Sequence, residues 1–389
     1  MKKIAVITSS RAEYGLLAPI IRKLLQKEEL DVRVVVTGSH LAAEFGNTVK
    51  EIEKDGFPID RKIDILLASD SPAAVSKTMG LALIGFAEYY DEVRPDAVLV
   101  LGDRYELLPI CSAAINARIP LIHLYGGETT EGAVDEMVRH AVTKMASLHF
   151  TANEYTRKRV IQLGENPENV YAVGAMGPEN AVSLASLTRE ELEEDLGCAL
   201  PERFAVLTFH PVTLEENTAE HQVEELIRAM EAFPDILFFC TKANADANGR
   251  IINTRLAEIA AIRKNVILFD SLGSRKYLSL VKEASFVIGN SSSGLSEAPS
   301  LGVPTVNIGD RQKGRERGPS VIDCEAQADA IIRAMEYAMS PEMKAVAGKR
   351  INPYGRGNTS SQIADIVTKA LTEGKLSLRK KFYDIDFSI

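Results

Sequence analysis

Twice along the chain, short apolar runs that do not alternate with polar residues are interleaved with longer amphipathic segments. In the first half the runs are "KIAVIT", "DVRVVVT", "DAVLVLG", "IPLIHLY", "LHFTA" and "VYAVG"; in the second they are "FAVLTFH", "DILFFCT", "NVILFD", "SFVIG", "VPTVNIG" and "SVIDC". A strand with one wet face alternates apolar and polar residues. Continuous apolar runs therefore mean strands covered on both faces, which requires parallel sheets wrapped by helices. Helices are expected to begin near Leu16, Leu41, Pro72, Glu106, Val134 and Glu154 in the first half. Each half reads as a doubly wound α/β domain.

A length of 389 residues is too great for one ordinary core and suits two domains. The polar, helical stretch "GPENAVSLASLTREELEEDLGCALPE" marks the boundary. The expected division is 1–177, 178–358 and a C-terminal piece, 359–389, whose helix near Thr359–Thr372 returns to the first domain. "INARIPLIHLYGG" and "SLGVPTVNIGD" echo each other, each with a proline before a buried strand that leaves into a glycine loop.

Apolar residues at 46% and charged residues at 25% describe a soluble globular protein. A net charge of −9 argues against nucleic acid as partner, and no segment has the length of a membrane span. Cys111, Cys198, Cys240 and Cys324 are scattered without a CxxC pair, so they read as reduced thiols of a cytoplasmic protein. The dinucleotide fingerprint GxGxxG and the Walker A loop are both absent, and the histidines are too dispersed for a metal set. No cofactor and no metal are expected.

Ligands of such sheets bind at the carboxyl ends of the strands, and with two domains the cleft between them is the expected site. Strand "SFVIG" ends in "GNSSSGLSE", with a helix expected from about Ser293. Free N–H groups at a helix start, hydroxyls of Ser291, Ser292 and Ser293, and close backbone approach at Gly289 and Gly294 would make an anion seat. A plain N-cap needs only one serine, and a capping box on Glu297 would need a serine where Gly294 stands. Glu297 would repel a phosphate, so it suits neutral hydroxyls such as those of a ribose. Downstream, Arg311, Lys313, Arg315 and Arg317 crowd "DRQKGRERG", either as a solvated loop or as a diphosphate clamp.

In the first half, "VITSSRAEYG" puts Arg11 just past a strand, and "VLVLGDRYE" does the same for Asp103 and Arg104. Asp103 is either an N-cap of the next helix or a functional carboxylate. "HLYGGETTEGAVDEMVRHAVTK" holds His123, read as a core histidine, and the acids Glu128, Glu131 and Asp135. Arg139 lies four residues after Asp135, so the two form a helical pair, or Arg139 fixes one carboxylate of a proton-transfer group. His210 ends the first strand of the second half and reads as an acid or a phosphate donor.

Together, "SRAEYG", "VLGDRYE", "GGETTEGAVDEMVRHAVTKM", "RKRVIQLGE", "FHPVTL", "ANADANGR", "GNSSSGLSEAPS", "NIGDRQKGRERG" and "KFYDI" resemble the hydrolysing UDP-N-acetylglucosamine 2-epimerases, in particular the bacterial sialic-acid and legionaminic-acid branch. The resemblance implies a GT-B fold with two Rossmann-like domains, metal-free chemistry on a nucleotide sugar, and a homodimer. It also implies loss of the nucleoside diphosphate from C1 and removal of the C2 proton, giving a 2-acetamidoglucal, then hydration to free N-acetylmannosamine. Arg11 and Arg104 match diphosphate or substrate positions. Ser291, Ser292, Glu297 and Arg311 match nucleotide contacts, and Asp103, Asp135, Arg139 and His210 match active-site positions. Many members carry "H-x-E-G-G" where this chain has Tyr125 in "HLYGGE", in a loop one residue longer, so either Glu128 or Glu131 takes that carboxylate role or the base is assigned differently. A GDP-linked 2,4-diacetamido-6-deoxy sugar is the alternative substrate, and a GT-B glycosyltransferase the alternative activity.

Overall fold

The computed structural model describes the chain except residues 44–46, 68–70, 130–133, 211–218, 244–248, 271, 356 and 387–389. It divides into two compact units, Met1–Met176 with Asn358–Ile389, and Gly177–Gly357.

The first unit is built on seven parallel strands: β1 (Lys2–Thr8), β2 (Leu30–Thr37), β3 (Ile59–Ile63), β4 (Ala97–Leu101), β5 (Leu121–Leu124), β6 (Leu148–Thr151) and β7 (Val170–Ala172), in the order β3-β2-β1-β4-β5-β6-β7. Successive residues of a strand point to opposite faces. Ile4 and Val6 of β1 meet Leu17 and Ile21 of the helix Arg11–Leu24 and Ile363 and Val367 of the helix Thr359–Thr372. Ala5 and Ile7 turn the other way, onto Phe86 and Tyr90 of the helix Pro72–Val93 and Ile110 of the helix Leu107–Asn116. Both faces are therefore dry, which is why the sequence shows no alternation. Each such aliphatic side chain contributes about 1.5–3 kcal/mol when fully buried.

The second unit repeats the plan with β8 (Phe204–Thr208), β9 (Leu237–Thr241), β10 (Val266–Phe269), β11 (Phe286–Gly289), β12 (Thr305–Ile308) and β13 (Val321–Cys324), all parallel, in the order β10-β9-β8-β11-β12-β13. Ala205 and Leu207 pack with Val223 and Ile331 on one face, while Phe204 and Val206 pack with Leu278 and Val281 on the other.

Every apolar run named above overlaps one of these strands, and the doubly wound α/β expectation holds. Three details differ. Strand β3, "IDRKI", has only Ile63 buried and carries charge, as an edge strand does to discourage further pairing, so it lacks the apolar signal. The first helix begins at Arg11, before Leu16, because the Ser10 hydroxyl accepts from the Glu13 N–H and opens it. Near Leu41 there is only a 3-10 turn, Gly38–Leu41, and the next helix starts at Val49.

In each sheet the strand order reverses direction once, between β1 and β4 and between β8 and β11. Crevices for ligands open at such switch points, at the carboxyl ends of the strands. Among the described residues, no helix is long and apolar enough to cross a membrane.

Candidate active site

In the first unit, the switch point brings the loop after β1 beside the loop after β4. Ser9 donates its N–H to Glu13 Oε2 at 2.9 Å and its hydroxyl to the same oxygen at 2.9 Å. Burial pushes the Glu13 carboxyl up to about 7, against the lowering pull of the Ser9 N–H and of Arg104. Arg104 donates from Nη2 to Glu106 Oε1 at 2.9 Å and lies 3.8 Å from Glu13. Glu106 is fully buried, so Arg104 sits against two interior carboxylates. Arg11 is exposed and stands 3.5 Å from Glu51.

After β4, Gly102 adopts φ +86°, and the next residue, Asp103, bonds to the Arg139 guanidinium. Arg139 is 3% exposed, whereas Asp103 keeps 29% of its side chain open to solvent. Arg139 also donates to Glu136 Oε2 at 2.7 Å and to the backbone carbonyl of Glu128 at 2.9 Å. One buried arginine thus ties the Asp103 loop, the "GGE" loop and its own helix, Val134–Met145, together.

Two expectations are corrected here. Asp103 does not cap the following helix, whose N-cap is Glu106. Arg139 takes Asp103 and Glu136 as its ion-pair partners, and Asp135 is exposed in the first helical turn. The side chain four residues back lies on the same helical face, but the β4 loop offers a carboxylate to the buried side of that face. Glu128 is partly exposed, and Glu131 lies outside the described residues. Tyr125, with φ +66°, accepts the Met176 N–H on its phenol oxygen at 2.5 Å.

In the second unit, the loops after β8, β11 and β12 meet at Asn290. Its Oδ1 accepts the His210 N–H at 2.7 Å and its Nδ2 donates to the His210 carbonyl at 2.8 Å. The Asn290 carbonyl accepts from Arg311 Nη1 at 3.0 Å and from Gln312 Nε2 at 2.8 Å. Gly289 holds φ +130°, and a Cβ there would stand 2.0 Å from the Thr208 carbonyl oxygen, so only glycine lets β11 leave so close to β8. Gly294 is buried against Thr305, where a Cβ would lie 2.6 Å from its methyl.

The helix expected from Ser293 is a single turn, Ser293–Ser296, without a side-chain cap at Ser292; a second turn, Ala298–Leu301, follows a kink at Glu297. The Ser293 N–H bonds to Ser291 Oγ at 3.4 Å, and Ser292 is exposed. Burial raises the Glu297 carboxyl, with the Ser293 hydroxyl opposing the shift. The basic run does not act as one block. Lys313 pairs with Asp310 at 3.0 Å and Arg317 with Asp323 at 2.8 Å, whereas Arg311 is aimed at the serine loop through Asn290.

Sequence reasoning passed over Glu13, Glu106 and Asn290. The pattern Ser10-x-x-Glu13 is a helix-start signature that pointed to Glu13, and Asn290 was visible as a polar residue ending an apolar strand. Among the described residues no group of three or more histidine, cysteine or acidic side chains is gathered to hold a metal ion.

Two doubly wound units, each with polar loops at its switch point, define a ligand-binding class of α/β protein. Comparison with known proteins makes this specific: a family model described as UDP-N-acetylglucosamine 2-epimerase matches residues 22–368, and the chain belongs to that family. The chain is 40% identical over 344 residues to the GDP/UDP-N,N'-diacetylbacillosamine 2-epimerase (hydrolyzing) of Campylobacter jejuni, covering 88% of this chain and 89% of that one. It is also 40% identical over 386 residues to the polysialic acid biosynthesis protein P7 of Escherichia coli, covering 99% and 98%. The solved UDP-GlcNAc 2-epimerase from Neisseria meningitidis bound to UDP-GlcNAc superposes with a TM-score of 0.76 at 18% identity, over 95% of this chain and all of that one. The fold is accordingly of the GT-B kind, two Rossmann-like domains in one chain.

Proposed function

We propose that the protein is a hydrolysing 2-epimerase converting UDP-N-acetylglucosamine and water into N-acetylmannosamine and UDP. The observation that carries the reading is the buried Arg139 holding a half-open Asp103 at the end of β4, in a chain of this family. The C1–O bond breaks, the diphosphate leaves with the bonding electrons, and a carboxylate takes the C2 proton, leaving a C1–C2 double bond. Water then adds its hydroxyl to C1 and a proton returns to C2 from the other face. No carbonyl acidifies the C2 proton, so stabilising the departing diphosphate must supply most of the driving force.

In this reading Asp103 is the base, with Glu128, Glu131 and Asp135 as the further carboxylates of the group and Arg139 as the residue that orients Asp103. Arg11, Arg104 and Arg311 are assigned to the diphosphate. Ser291, Ser292, Ser293 and Gly294 seat a phosphate, Glu297 accepts from the ribose, and His210 donates to the leaving oxygen. The chemistry calls for neither metal nor cofactor.

The near-full-length similarity to a polysialic acid biosynthesis protein supports the N-acetylmannosamine product. Equal identity to an enzyme named for diacetylbacillosamine favours, as a second reading, a 2,4-diacetamido-6-deoxy sugar on GDP or UDP. Incubation with each nucleotide sugar alone, followed by NMR of the sugar and chromatography of the nucleotide, decides between them. Turnover only after an acceptor is added would instead make the protein a glycosyltransferase.

A further inference from the structure

We propose that His123 is a positioning residue, a neutral brace that locks the peptide before Asp103 to the helix that carries Arg139. The inference rests on the epimerase reading for its kinetic consequence, and on geometry alone for the brace itself.

His123 lies in the middle of β5 with no solvent exposure. Its Nε2 stands 2.8 Å from the Gly102 carbonyl oxygen. A carbonyl can only accept, so Nε2 carries the proton. In the neutral ring Nδ1 is then an acceptor, and the Thr143 hydroxyl lies 3.1 Å away to serve it. The same hydroxyl is 2.8 Å from the Arg139 carbonyl, and its one proton can serve only one of the two; with the ring neutral it turns to Nδ1, and the carbonyl keeps the i→i+4 N–H bond of the helix. Thr143 is thus one turn beyond Arg139, and one imidazole reaches both sides of the Asp103–Arg139 pair.

The effect on Asp103 is direct. Gly102 holds φ +86° with its N–H on the Leu124 carbonyl at 3.0 Å, and the bond from His123 fixes the Gly102 carbonyl in the peptide that leads into Asp103. The next loop is shaped around the brace as well. A Cβ on Gly126 would lie 2.9 Å from the Thr143 hydroxyl and 3.3 Å from His123 Nδ1, so Gly126 closes over the pair only as glycine. Burial, with the charges of Arg139, His140 and His149 adding to it and the Gly102 carbonyl opposing, moves the His123 pKa down to about 3. The ring therefore stays neutral across the pH range in which such an enzyme works.

Nitrogen-15 NMR of histidine-labelled wild-type protein tests the brace without reference to activity. An Nε2–H tautomer at pH 7 is expected; an Nδ1–H tautomer or an imidazolium overturns the proposal. Thr143→Val removes the donor to Nδ1 and is expected to lower kcat about a hundredfold, the cost of a misplaced reacting group. KM and UDP affinity should stay within about threefold, and Thr143→Ser should recover most of kcat, because a merely structural site loses binding and turnover together. Unchanged kcat in Thr143→Val, or parallel loss of kcat and UDP binding in both variants, refutes the positioning role. If wild-type protein turns over no nucleotide sugar, the epimerase reading fails while the tautomer still decides the brace. Should Thr143→Val not fold, Thr143→Ser and the wild-type spectrum carry the test.

Discussion

Asn290 grips the backbone of His210 at two points, accepting its N–H at 2.7 Å and donating to its carbonyl at 2.8 Å. Asn290 is 1% exposed, so truncating it removes two hydrogen bonds from the buried His210 backbone. Asn290→Ala is expected to lower the unfolding free energy by about 1–3 kcal/mol, measured by urea denaturation. Asn290→Asp keeps the acceptor but opposes a carboxylate oxygen to the His210 carbonyl, and should be no better. A loss below about 0.5 kcal/mol in both would mean the pair is not a structural hinge of the site.

Asp103→Asn keeps the shape at the end of β4 but removes the base. Turnover of the accepted nucleotide sugar should fall by about 10²–10⁴-fold. UDP affinity, followed by titration calorimetry, should be nearly unchanged. Parallel loss of both would assign Asp103 to binding.

Arg311→Ala removes the cation that donates to the Asn290 carbonyl. A hydrogen bond from a charged donor is worth about 1.5–3 kcal/mol, so UDP affinity should drop by about tenfold or more. Wild-type affinity in this variant would take Arg311 out of the diphosphate clamp.

Much of this architecture was legible because burial on both sheet faces leaves an unmistakable mark, seen in Ala97–Leu101 and Phe204–Thr208, where every residue is buried. Edge strand β3 left no such mark. The positions of Asp103 and Arg104 beyond β4 and of Ser291 beyond β11 also followed from strand ends alone. Pairing did not. Arg139 is four residues from Asp135 in sequence yet bonds Asp103, thirty-six residues away, because parallel crossovers bring distant strand ends together. Local spacing favours the near partner, and only the fold reveals the far one. His123 shows the same limit: burial in a strand was readable, but not the Gly102 carbonyl that its ring supports.

Glu13 gives the stability a pH dependence of definite sign. Its folded-state pKa is raised from 4.5 to about 7, so between those values the folded protein holds a proton that the unfolded chain has lost. Its contribution is fully present below pH 4.5 and is lost as pH rises through 7. Glu13→Gln should flatten that part of the curve, with stability compared by urea titration at pH 5 and pH 8. An unchanged slope would show that other groups set it.

The C-terminal tail makes the opposite prediction at acid pH. Glu165 is 2% exposed and accepts from His149 Nε2 at 2.9 Å, Lys144 Nζ at 2.7 Å and, from the tail, Lys380 Nζ at 2.7 Å. Phe382 lies under the Lys144 ammonium, 4.7 Å from the ring centre, and against Gly164, where a Cβ would come within 2.4 Å of the ring. Although burial alone would raise it, the bonds from His149 and the two lysines bring the Glu165 carboxyl down to about 2. Its contribution is complete above about pH 4.5, the ordinary glutamate value, and fades as pH falls towards 2. Lys380→Ala leaves Glu165 two partners and should cost about 1–3 kcal/mol at pH 7, with a smaller difference from wild type at pH 3. The helix that supplies Lys144 also supplies Arg139, so loosening the strap should lower kcat more than it changes UDP affinity. Equal stability of variant and wild type at pH 7 would show that the tail lies on this unit without holding it.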